Sequence, residues 1–425
     1  MIGDRLRVAM VSRASAALHG VGGLERHVDD LVRQLLEREV AVTLVTRPAV
    51  RPDEEAATDW LRDPRLAIQA VPYWTFPFAG RRGTTVLDRN TAYLWFALRA
   101  GRRAARLLAD GRVDLIHGHG ASTLGAVWPA PSSPLPLVVT PHGMEEFGGT
   151  DSSRARLKRV AYRPLQGAVR CCARHAARTL ATDQSLVPAT VTNLRVAESS
   201  VVVVPNAVDL DRTDALAGPR DGQASRMRHD VPEDEPVLLS VGRIEPNKGF
   251  DLLADALAQL QARDRRRRWR WVVVGDGSDR PTLERSIARG GLRERTVIVA
   301  AATEAELHAW YEAATIFVHP TLYEGSSLVT LEAMAHRRAV VATTAGGLPD
   351  KVRPGRNGWL VPPGNVAELA GAVESALTSG SERLATLGLE GREIVEQEFS
   401  LPSVVDRLIG LYEEVRSERG QVGVG

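Results

Sequence analysis

Short runs of β-branched and aliphatic residues recur along the chain, and longer Ala-, Leu- and Arg-rich stretches separate them. In the first half these runs are "LRVAMVS", "AVTLVT", "VDLIH", "PLVVT", "RTLATD" and "VVVVP". A buried strand followed by a stretch long enough for a helix is the pattern of parallel βαβ units. The alternation therefore predicts an α/β fold built on a doubly wound parallel sheet.

The same alternation starts again after a polar, Gly- and Pro-bearing stretch that ends near Pro236. Its runs are "PVLLSVG", "RWVVVG", "TVIVA", "TIFVHP", "AVVATT" and "GWLVP". A chain of 425 residues is long enough for two domains of about 200 residues each. We therefore predict two Rossmann-like domains, residues 1–205 and 206–400, joined near residues 206–212.

Composition excludes several classes of protein. Lys plus Arg number 54 against 52 for Asp plus Glu, so the charge balance gives no support for nucleic-acid binding. The adjacent Cys171 and Cys172 cannot build a metal site or a normal disulfide framework, which favours a reducing cytoplasm. No stretch reaches the ~18 apolar residues of a membrane span. We predict a cytoplasmic protein that is at most peripheral to a membrane.

The carboxyl ends of the predicted strands are where ligands bind in open parallel sheets. In the first domain, Gly22 and Gly23 allow close backbone approach, and the helix that follows offers free N–H groups to an anion. His119 and His142 each follow a buried run. An ordinary strand-to-helix turn and histidines that bond to neighbouring loops explain these residues as well. No third ligand has the spacing of a zinc site.

In the second domain, "RIEPNKGF" places Arg243 and Lys248 on a Pro-containing turn that opens a helix. Two cations and a helix N-terminus that converge on one point suit the charge of a diphosphate leaving group. An exposed Arg/Lys pair is the alternative, and the glycines that bracket the turn, Gly242 and Gly249, weigh against it. The next turn, "DGSDRP", fails as a dinucleotide fingerprint because Arg280 replaces the third glycine, which disfavours a nicotinamide dehydrogenase.

Two glutamates lie eight positions apart in "LYEGSSLVTLEAMA". Gly325 and the serines after it predict a turn, so Glu324 lies in a loop and Glu332 in the helix that follows. One carboxylate can accept hydrogen bonds from both ribose hydroxyls, and another near a helix N-terminus is held ionised by the helix dipole. Taken alone, the pair could equally be surface glutamates.

Five segments in order carry a resemblance to a known family: "VPNAVD", "SVGRIEPNKG", "VVVGDGSDRPTLE", "HPTLYEGSSLVTLEAMA" and "VVATTAGGLPDKV". They resemble the donor domain of retaining GT-B glycosyltransferases of family 4 (glycosyl transferases group 1), whose E-x7-E motif the two glutamates match. "GGLERHV" and "DLIHGH" are similar to the glycine loop and histidine motif of that family's acceptor domain. The chain departs from the pattern at Ser326 and Ser327, where Phe-Gly is frequent, and at Ala207, where Gly is usual.

The resemblance implies a GT-B architecture, with two Rossmann-like domains that face a central cleft. The N-terminal domain would bind the acceptor and the C-terminal domain the nucleotide-sugar donor. The implied activity is metal-independent, cofactor-free transfer of a hexose from a UDP- or GDP-sugar, with retention. A saccharide or lipid-linked acceptor in cell-envelope polysaccharide or glycoconjugate biosynthesis is expected.

The resemblance also implies roles for individual residues. Arg243 and Lys248 would bind the diphosphate, Glu332 the ribose, and Glu324 the donor sugar or its phosphate. His119 would lie beside the anomeric centre or a sugar hydroxyl. Further donor-binding candidates are Gly22, Gly23, Gly275, Ser327, Leu328 and Val329, with Gly346 and Gly347 approaching the diphosphate, and acceptor-side candidates are His142 and Glu25.

Two other functions share parts of this pattern. A sugar-nucleotide 2-epimerase of GT-B fold has the same two-domain architecture and nucleotide clamp. A non-catalytic nucleotide-sugar-binding protein would keep the clamp without turnover. The E-x7-E motif with the "GGLPD" segment downstream favours transfer over both. The sequence does not indicate an oligomeric state.

Two further features concern the surface and the C-terminus. Apolar residues at helical spacing in 399–415 predict a helix, about 401–418, that returns to the N-terminal domain as in the family. Arginines are interleaved with apolar residues in 154–170 and 98–108. Two interpretations stay open: peripheral contact with an anionic membrane, or apolar residues facing the core with the arginines solvated.

Overall fold

The computed structural model describes residues 5–20, 23–50, 59–74, 85–131, 134–142, 147 and 160–422. Contacts divide the chain into two compact units. The N-terminal unit comprises Met1–Thr182, Leu186–Val204 and Val405–Gly425, and the C-terminal unit comprises Asp183–Ser185 and Pro205–Val404. Each unit contains one parallel sheet with helices, which confirms the predicted pair of doubly wound folds.

The N-terminal sheet has seven described strands in the order β3-β2-β1-β4-β5-β6-β7. They are β1 (Arg7–Val11), β2 (Ala41–Thr46), β3 (Leu66–Ala70), β4 (Leu115–His119), β5 (Leu137–Thr140), β6 (Arg178–Ala181) and β7 (Val201–Val203). The strand order reverses between β1 and β4, which is where a doubly wound sheet opens a crevice for ligands.

Helices and short 3-10 turns connect these strands. The described helices of this unit are Ala16–His19, Gly23–Glu37, Thr85–Asn90, Ala92–Ala109, Leu124–Val127, Arg163–Arg174 and Val187–Leu194, with 3-10 turns at Asp59–Arg62 and Glu198–Ser200 and a further turn, Gln184–Leu186, that straddles the two units. Phe96, Ala100 and Leu107 of the helix Ala92–Ala109 pack with Val11 and Ile116 of the sheet. The helical period of these residues places one face of the helix on the core.

The C-terminal sheet has six described strands in the order β10-β9-β8-β11-β12-β13, all parallel. They are β8 (Val237–Val241), β9 (Arg270–Val274), β10 (Thr296–Val299), β11 (Ile316–His319), β12 (Ala339–Thr343) and β13 (Gly358–Val361). The order reverses between β8 and β11. Alternate residues pack on opposite faces of the sheet: Leu239 and Phe317 lie in one buried cluster, and Leu238 and Ile316 in the other.

The described helices of the C-terminal unit cover both faces of this sheet. They are Leu210–Leu216, Pro219–Arg228, Phe250–Arg263, Arg280–Arg289, Glu304–Ala313, Leu328–Ala335, Leu348–Lys351, Val366–Thr378 and Gly380–Ile394, with 3-10 turns at Pro246–Lys248 and Arg293–Arg295 and a π-helical turn at Val395–Phe399. None of the helices in the described parts of the chain is long and apolar enough to cross a membrane.

Two strand predictions differ from the structure. The run "VDLIH" was expected to end at His117, but β4 continues to His119, which is therefore the last strand residue and not part of the following loop. The strand β3 was missed because its sequence, "LAIQA", lacks a β-branched run. It lies at the sheet edge and is only partly buried, so packing gives it little hydrophobic pattern.

The C-terminal helix, Leu401–Val422, begins in the C-terminal unit, and from Val405 onward it belongs to the N-terminal unit. Tyr412 is fully buried there, and its hydroxyl lies 2.5 Å from Nδ1 of His117. Arg38 forms an ion pair with Asp406 of this helix. These contacts fix the helix to the N-terminal unit through buried and charged groups.

Candidate active site

The C-terminal unit brings two predicted residues into direct contact at its switch point. Lys248 ends the short turn after β8, and Glu324 lies in the loop after β11, the neighbouring strand. The Lys248 ammonium nitrogen is 2.6 Å from Oε2 of Glu324, and the two side chains are 16% and 14% exposed. The strand order therefore pairs a largely buried cation with a largely buried carboxylate.

His319, the last residue of β11, supports the same carboxylate. Its Nε2 is 3.0 Å from Oε2 of Glu324. Burial lowers the pKa of His319, although Glu324 opposes this shift. Because the ionised carboxylate only accepts hydrogen bonds, the neutral ring donates from Nε2. Burial alone would raise the pKa of Glu324, but the hydrogen bond from His319 and the charge of Lys248 outweigh it and lower that pKa to about 2.

Arg243 does not join this pair in the structure. Its side chain is 73% exposed, and its guanidinium lies 2.8 Å from Glu245. The loop "RIEPNKGF" thus buries one of its two cations and leaves the other on the surface. The predicted convergence of Arg243 and Lys248 on one anion stays a prediction.

Glu332 lies on the helix Leu328–Ala335, directly after the Glu324 loop, and is half-buried. Its Oε2 accepts a hydrogen bond of 2.8 Å from the hydroxyl of Tyr311. At the start of the helix, Ser327 is buried, and its hydroxyl is 2.9 Å from that of Thr330. Leu328 is exposed and Val329 half-buried, so these donor-binding candidates form the outer edge of the first turn.

Three of the glycines expected on the donor side have packing reasons of their own. Gly346 has φ 55°, and a Cβ there would lie 1.9 Å from the carbonyl oxygen of Glu324. Gly347 donates from its N–H to the carbonyl of Gly325 over 2.9 Å. A Cβ on Gly275, which has φ 142°, would lie 2.0 Å from the carbonyl oxygen of Gly242. Glycine is thus required where these loops touch.

In the N-terminal unit, His119 and His142 lie together at the carboxyl edge of β4 and β5. Nδ1 of His119 is 2.8 Å from Nε2 of His142, and Nε2 of His119 is 2.9 Å from Sδ of Met10. The ring of His27 meets both rings edge-on, at 5.8 and 5.5 Å between centroids. Both ring nitrogens of the buried His119 therefore face protein atoms.

Burial keeps these rings uncharged. It lowers the pKa of His27 to about 4 and that of His117 to about 3. It also lowers the pKa values of His119 and His142 well below their usual range, and the neighbouring histidines add to the effect. The cluster can exchange hydrogen bonds at neutral pH but supplies no positive charge.

The other N-terminal candidates are only partly described. Gly22 lies outside the described residues, and Gly23 is the first residue of the helix Gly23–Glu37. Glu25 is in the first turn of that helix and is half-buried. In the described part of the chain, no three His, Cys, Asp or Glu side chains are grouped as a metal ion would need. Metal-free chemistry stays a prediction.

Comparison with known proteins identifies the family. The family model described as "Glycosyltransferase Family 4" matches residues 21–212, and that described as "Glycosyl transferases group 1" matches residues 235–379. The chain is 30% identical, over 399 residues, to the D-inositol 3-phosphate glycosyltransferase 2 of Catenulispora acidiphila, covering 90% of this chain and 89% of that protein. This chain belongs to family 4 of the glycosyltransferases.

Two further likenesses agree with this. This glycosyltransferase is 29% identical to the 2-deoxystreptamine glucosyltransferase of Streptomyces kanamyceticus, covering 83% of this chain and 90% of that one. The structure of Anabaena HepE in complex with UDP-glucose matches with a TM-score of 0.68 at 18% identity, covering 96% of this chain and 100% of that chain. At that identity the match concerns the fold, which is GT-B.

The sequence did not single out His319, Tyr311 or His27, whose side chains contact candidate residues. Like His119 and His142, His319 stands at the end of a buried run, "TIFVH", and this position could have identified it. His27 lies within the quoted "GGLERHV" segment of this glycosyltransferase, one turn beyond the glycines. Nothing in the sequence indicates a site role for Tyr311, because its position in the helical pattern predicts only a core residue of an amphipathic helix.

Proposed function

We propose that this glycosyltransferase moves a hexose, with retention of anomeric configuration, from a UDP- or GDP-hexose to an acceptor hydroxyl. The observation that carries the donor assignment is the buried pair of Lys248 and Glu324 at the switch point of the C-terminal sheet. Glu332 follows on the adjoining helix. Anabaena HepE, which shares the fold, was solved with UDP-glucose, and this supports a nucleotide-sugar donor.

The roles of these residues follow from their chemistry. An ammonium group has three N–H donors, so Lys248 can hold Glu324 with one and a phosphate oxygen with another. The exposed guanidinium of Arg243 can bind phosphate oxygens in a bidentate manner. Fixed cations of this kind stabilise the negative charge that develops on the diphosphate as the glycosidic bond breaks. Glu332 accepts hydrogen bonds from the ribose hydroxyls.

The retaining step in this proposal is attack from the face that the diphosphate leaves. The bond between the anomeric carbon and the phosphate oxygen breaks, and the acceptor oxygen bonds to the same face of the sugar. The acceptor's proton passes to the leaving phosphate. The family resemblance supports this course, and the arrangement of Lys248 and Glu324 supplies cationic stabilisation without a metal ion.

Different observations support two classes of acceptor. The family resemblance favours a saccharide or lipid-linked acceptor in cell-envelope polysaccharide or glycoconjugate biosynthesis. The names of two similar proteins instead refer to 2-deoxystreptamine and D-inositol 3-phosphate, which are both polyhydroxylated carbocycles. We therefore propose cyclitols as the second acceptor class.

A donor and acceptor screen tests the proposal. UDP- and GDP-hexoses are incubated with saccharide, glycolipid and cyclitol acceptors, and transfer products are detected by mass spectrometry. An α-linked product from an α-linked donor, identified by its NMR coupling constants, supports retention. Donor conversion to its 2-epimer without acceptor would favour the epimerase. Saturable donor binding with no turnover on any acceptor would favour the binding protein.

We also propose that the enzyme works in the cytoplasm, at the membrane face, through arginines on the helix Ala92–Ala109. Arg99, Arg102 and Arg106 are exposed in line with Trp95, which is 50% exposed and stacks with the Arg99 guanidinium at 5.7 Å. The apolar residues of 98–108, such as Leu107, face the core, so attachment would be mainly electrostatic. Residues 154–159 of the other basic segment lie outside the described residues.

Co-sedimentation with vesicles tests this attachment. Binding to anionic vesicles at low salt should fall when Arg99 and Arg102 are changed to Glu. The matched control changes the exposed Arg265 and Arg266 of the C-terminal unit to Glu, and it should bind like the wild type. Equal binding of wild-type protein to anionic and neutral vesicles would show that these arginines do not attach the protein to anionic membranes.

A further inference from the structure

Tyr311 is a fully buried tyrosine whose hydroxyl reaches a candidate donor-binding residue. It lies on the helix Glu304–Ala313, and its hydroxyl is 2.8 Å from Oε2 of Glu332 and 3.2 Å from the carbonyl oxygen of Val329. A hydroxyl has one proton to donate, and the charged carboxylate is the stronger acceptor. Burial raises the pKa of Tyr311 well above its usual value, and the nearby Glu332 adds to this, so the hydroxyl remains a donor.

Aromatic rings on several sides fix the tyrosine ring. His336 stacks on it with centroids 5.5 Å apart and an interplanar angle of 11°. Phe317 of β11 lies at 5.9 Å in a tilted arrangement, and His308 meets the ring edge-on at 5.8 Å. The stacked His336 is itself held, since its Nδ1 is 2.6 Å from Oε1 of Glu312.

The position of the hydroxyl is therefore set by the protein core and not by the ligand. A side chain with no exposed surface and rings on several sides cannot change rotamer without disturbing its neighbours. Glu332, by comparison, is half-buried. The hydrogen bond from this fixed hydroxyl therefore constrains where Oε2 of Glu332 lies.

We propose that Tyr311 is a positioning residue, which holds Oε2 of Glu332 so that the other carboxylate oxygen, Oε1, receives the ribose hydroxyls of the donor. This inference rests on the proposed assignment of Glu332 to the ribose. It adds that preference for a ribonucleotide over a 2′-deoxyribonucleotide depends on a residue that does not touch the donor. Loss of the tyrosine hydroxyl removes the hydrogen bond that constrains Oε2, and ribose recognition weakens while the reacting centre is unchanged.

Tyr311→Phe is the direct test, because it removes only the hydroxyl and keeps the ring that stacks on His336. Calorimetry measures the Kd of UDP against 2′-deoxy-UDP, with GDP and 2′-deoxy-GDP run alongside. The ratio of the Kd of the 2′-deoxy nucleotide to the Kd of the ribonucleotide should fall by about five- to tenfold, the size expected for one ordinary hydrogen bond. Donor KM should rise by a similar factor while kcat stays within about twofold.

Three further variants calibrate this result. Glu332→Gln should abolish most of the preference for ribose. Tyr412→Phe removes another fully buried tyrosine hydroxyl, in the N-terminal unit, and should leave the Kd ratio unchanged. Glu332→Asp retracts the carboxylate from Tyr311 and should lower the ratio even with the hydroxyl present, so the proposal is tested even if Tyr311→Phe folds poorly.

The possible failures are distinguishable. A wild-type ratio in Tyr311→Phe, with the preference lost in Glu332→Gln, overturns the positioning role and leaves the ribose assignment intact. A full ratio in Glu332→Asp overturns it as well. A wild-type ratio in Glu332→Gln overturns the ribose assignment itself, and this inference with it.

Discussion

Replacement of Lys248 by Met removes the ammonium that holds Glu324 but keeps most of the aliphatic stem. The nitrogen lies 2.6 Å from Oε2 of Glu324, and neither side chain is more than 16% exposed. Solvent screening of the pair is therefore weak. We expect the variant to lose transfer activity and, unlike a surface substitution, also to lose stability.

The pKa of Glu324 gives the size of the expected loss of stability. It is about 2 in the folded protein against an ordinary value of 4.5. At about 1.4 kcal/mol per pKa unit, the surroundings favour the ionised form by about 3 kcal/mol. The hydrogen bond from His319 is the largest favourable contribution and the charge of Lys248 is a smaller one, so we assign about 1 kcal/mol to Lys248, at the upper end of the ~0.2–1 kcal/mol of an exposed pair.

The same pKa determines how the stability depends on pH. Because the folded pKa lies below the unfolded value, the unfolded chain binds the proton first as the pH falls. The stability from ionised Glu324 is therefore fully present above pH 4.5 and is lost as the pH falls from 4.5 towards 2. Between about pH 5 and 7 the effect of Lys248→Met should be constant, within the range where folded and unfolded Glu324 are both ionised.

A double-mutant cycle measures the interaction. Lys248→Met, Glu324→Gln and the double variant are compared by urea unfolding, with amide exchange in β8 and β11 reporting the C-terminal unit. The control cycle is Arg243→Met with Glu245→Gln, whose arginine is 73% exposed and whose coupling should be below about 0.5 kcal/mol. Coupling between Lys248 and Glu324 as small as in this control would refute the reasoning.

Three further outcomes are expected. Gly346→Ala places a Cβ 1.9 Å from the Glu324 carbonyl oxygen and should abolish most transfer. The control, Gly371→Ala, places a Cβ that meets no atom within 4 Å and should be active. Equal activities of the two variants would contradict the packing argument. The kcat/KM profile should show no histidine limb between about pH 6 and 8, because burial lowers the pKa of His119 well below its usual range. Transfer should survive EDTA, and loss of turnover that Mg²⁺ restores would show the metal-free proposal wrong.

The strands could be predicted because parallel strands buried on both faces leave continuous apolar runs in the sequence. Val237–Val241 and Ala339–Thr343 are buried along their whole length and were found as "PVLLSVG" and "AVVATT". Leu66–Ala70 was not found, because an edge strand with exposed residues has no such run. Val201–Val203 and Thr296–Val299 are also partly buried edge strands, but they keep β-branched runs and were found, so the sequence signal is the run itself.

The sequence predicted which residues belong to the site better than it predicted which of them contact each other. Lys248 and Glu324 each follow a strand, but only the strand order, β8 beside β11, brings them together. Arg243 was expected to act with Lys248, and its spacing gave no indication that its side chain faces solvent beside Glu245. Tyr311 reaches Glu332 from a helix whose pattern indicates only core packing. Contacts of this kind depend on how helices pack, which local sequence does not encode.

The two units bury polar side chains in different ways. The difference agrees with the proposed roles, acceptor binding by the N-terminal unit and donor binding by the C-terminal unit. In the N-terminal unit, His119 and His142 are neutral and exchange hydrogen bonds, so their burial creates no net charge. In the C-terminal unit, Lys248 and Glu324 are buried as ions, which costs desolvation and is stable only while both are present. A departing diphosphate gains negative charge, so a fixed cation is useful where the diphosphate binds and a neutral, polar surface suffices for an acceptor hydroxyl. The costly arrangement is therefore found in the unit that we assign to the donor.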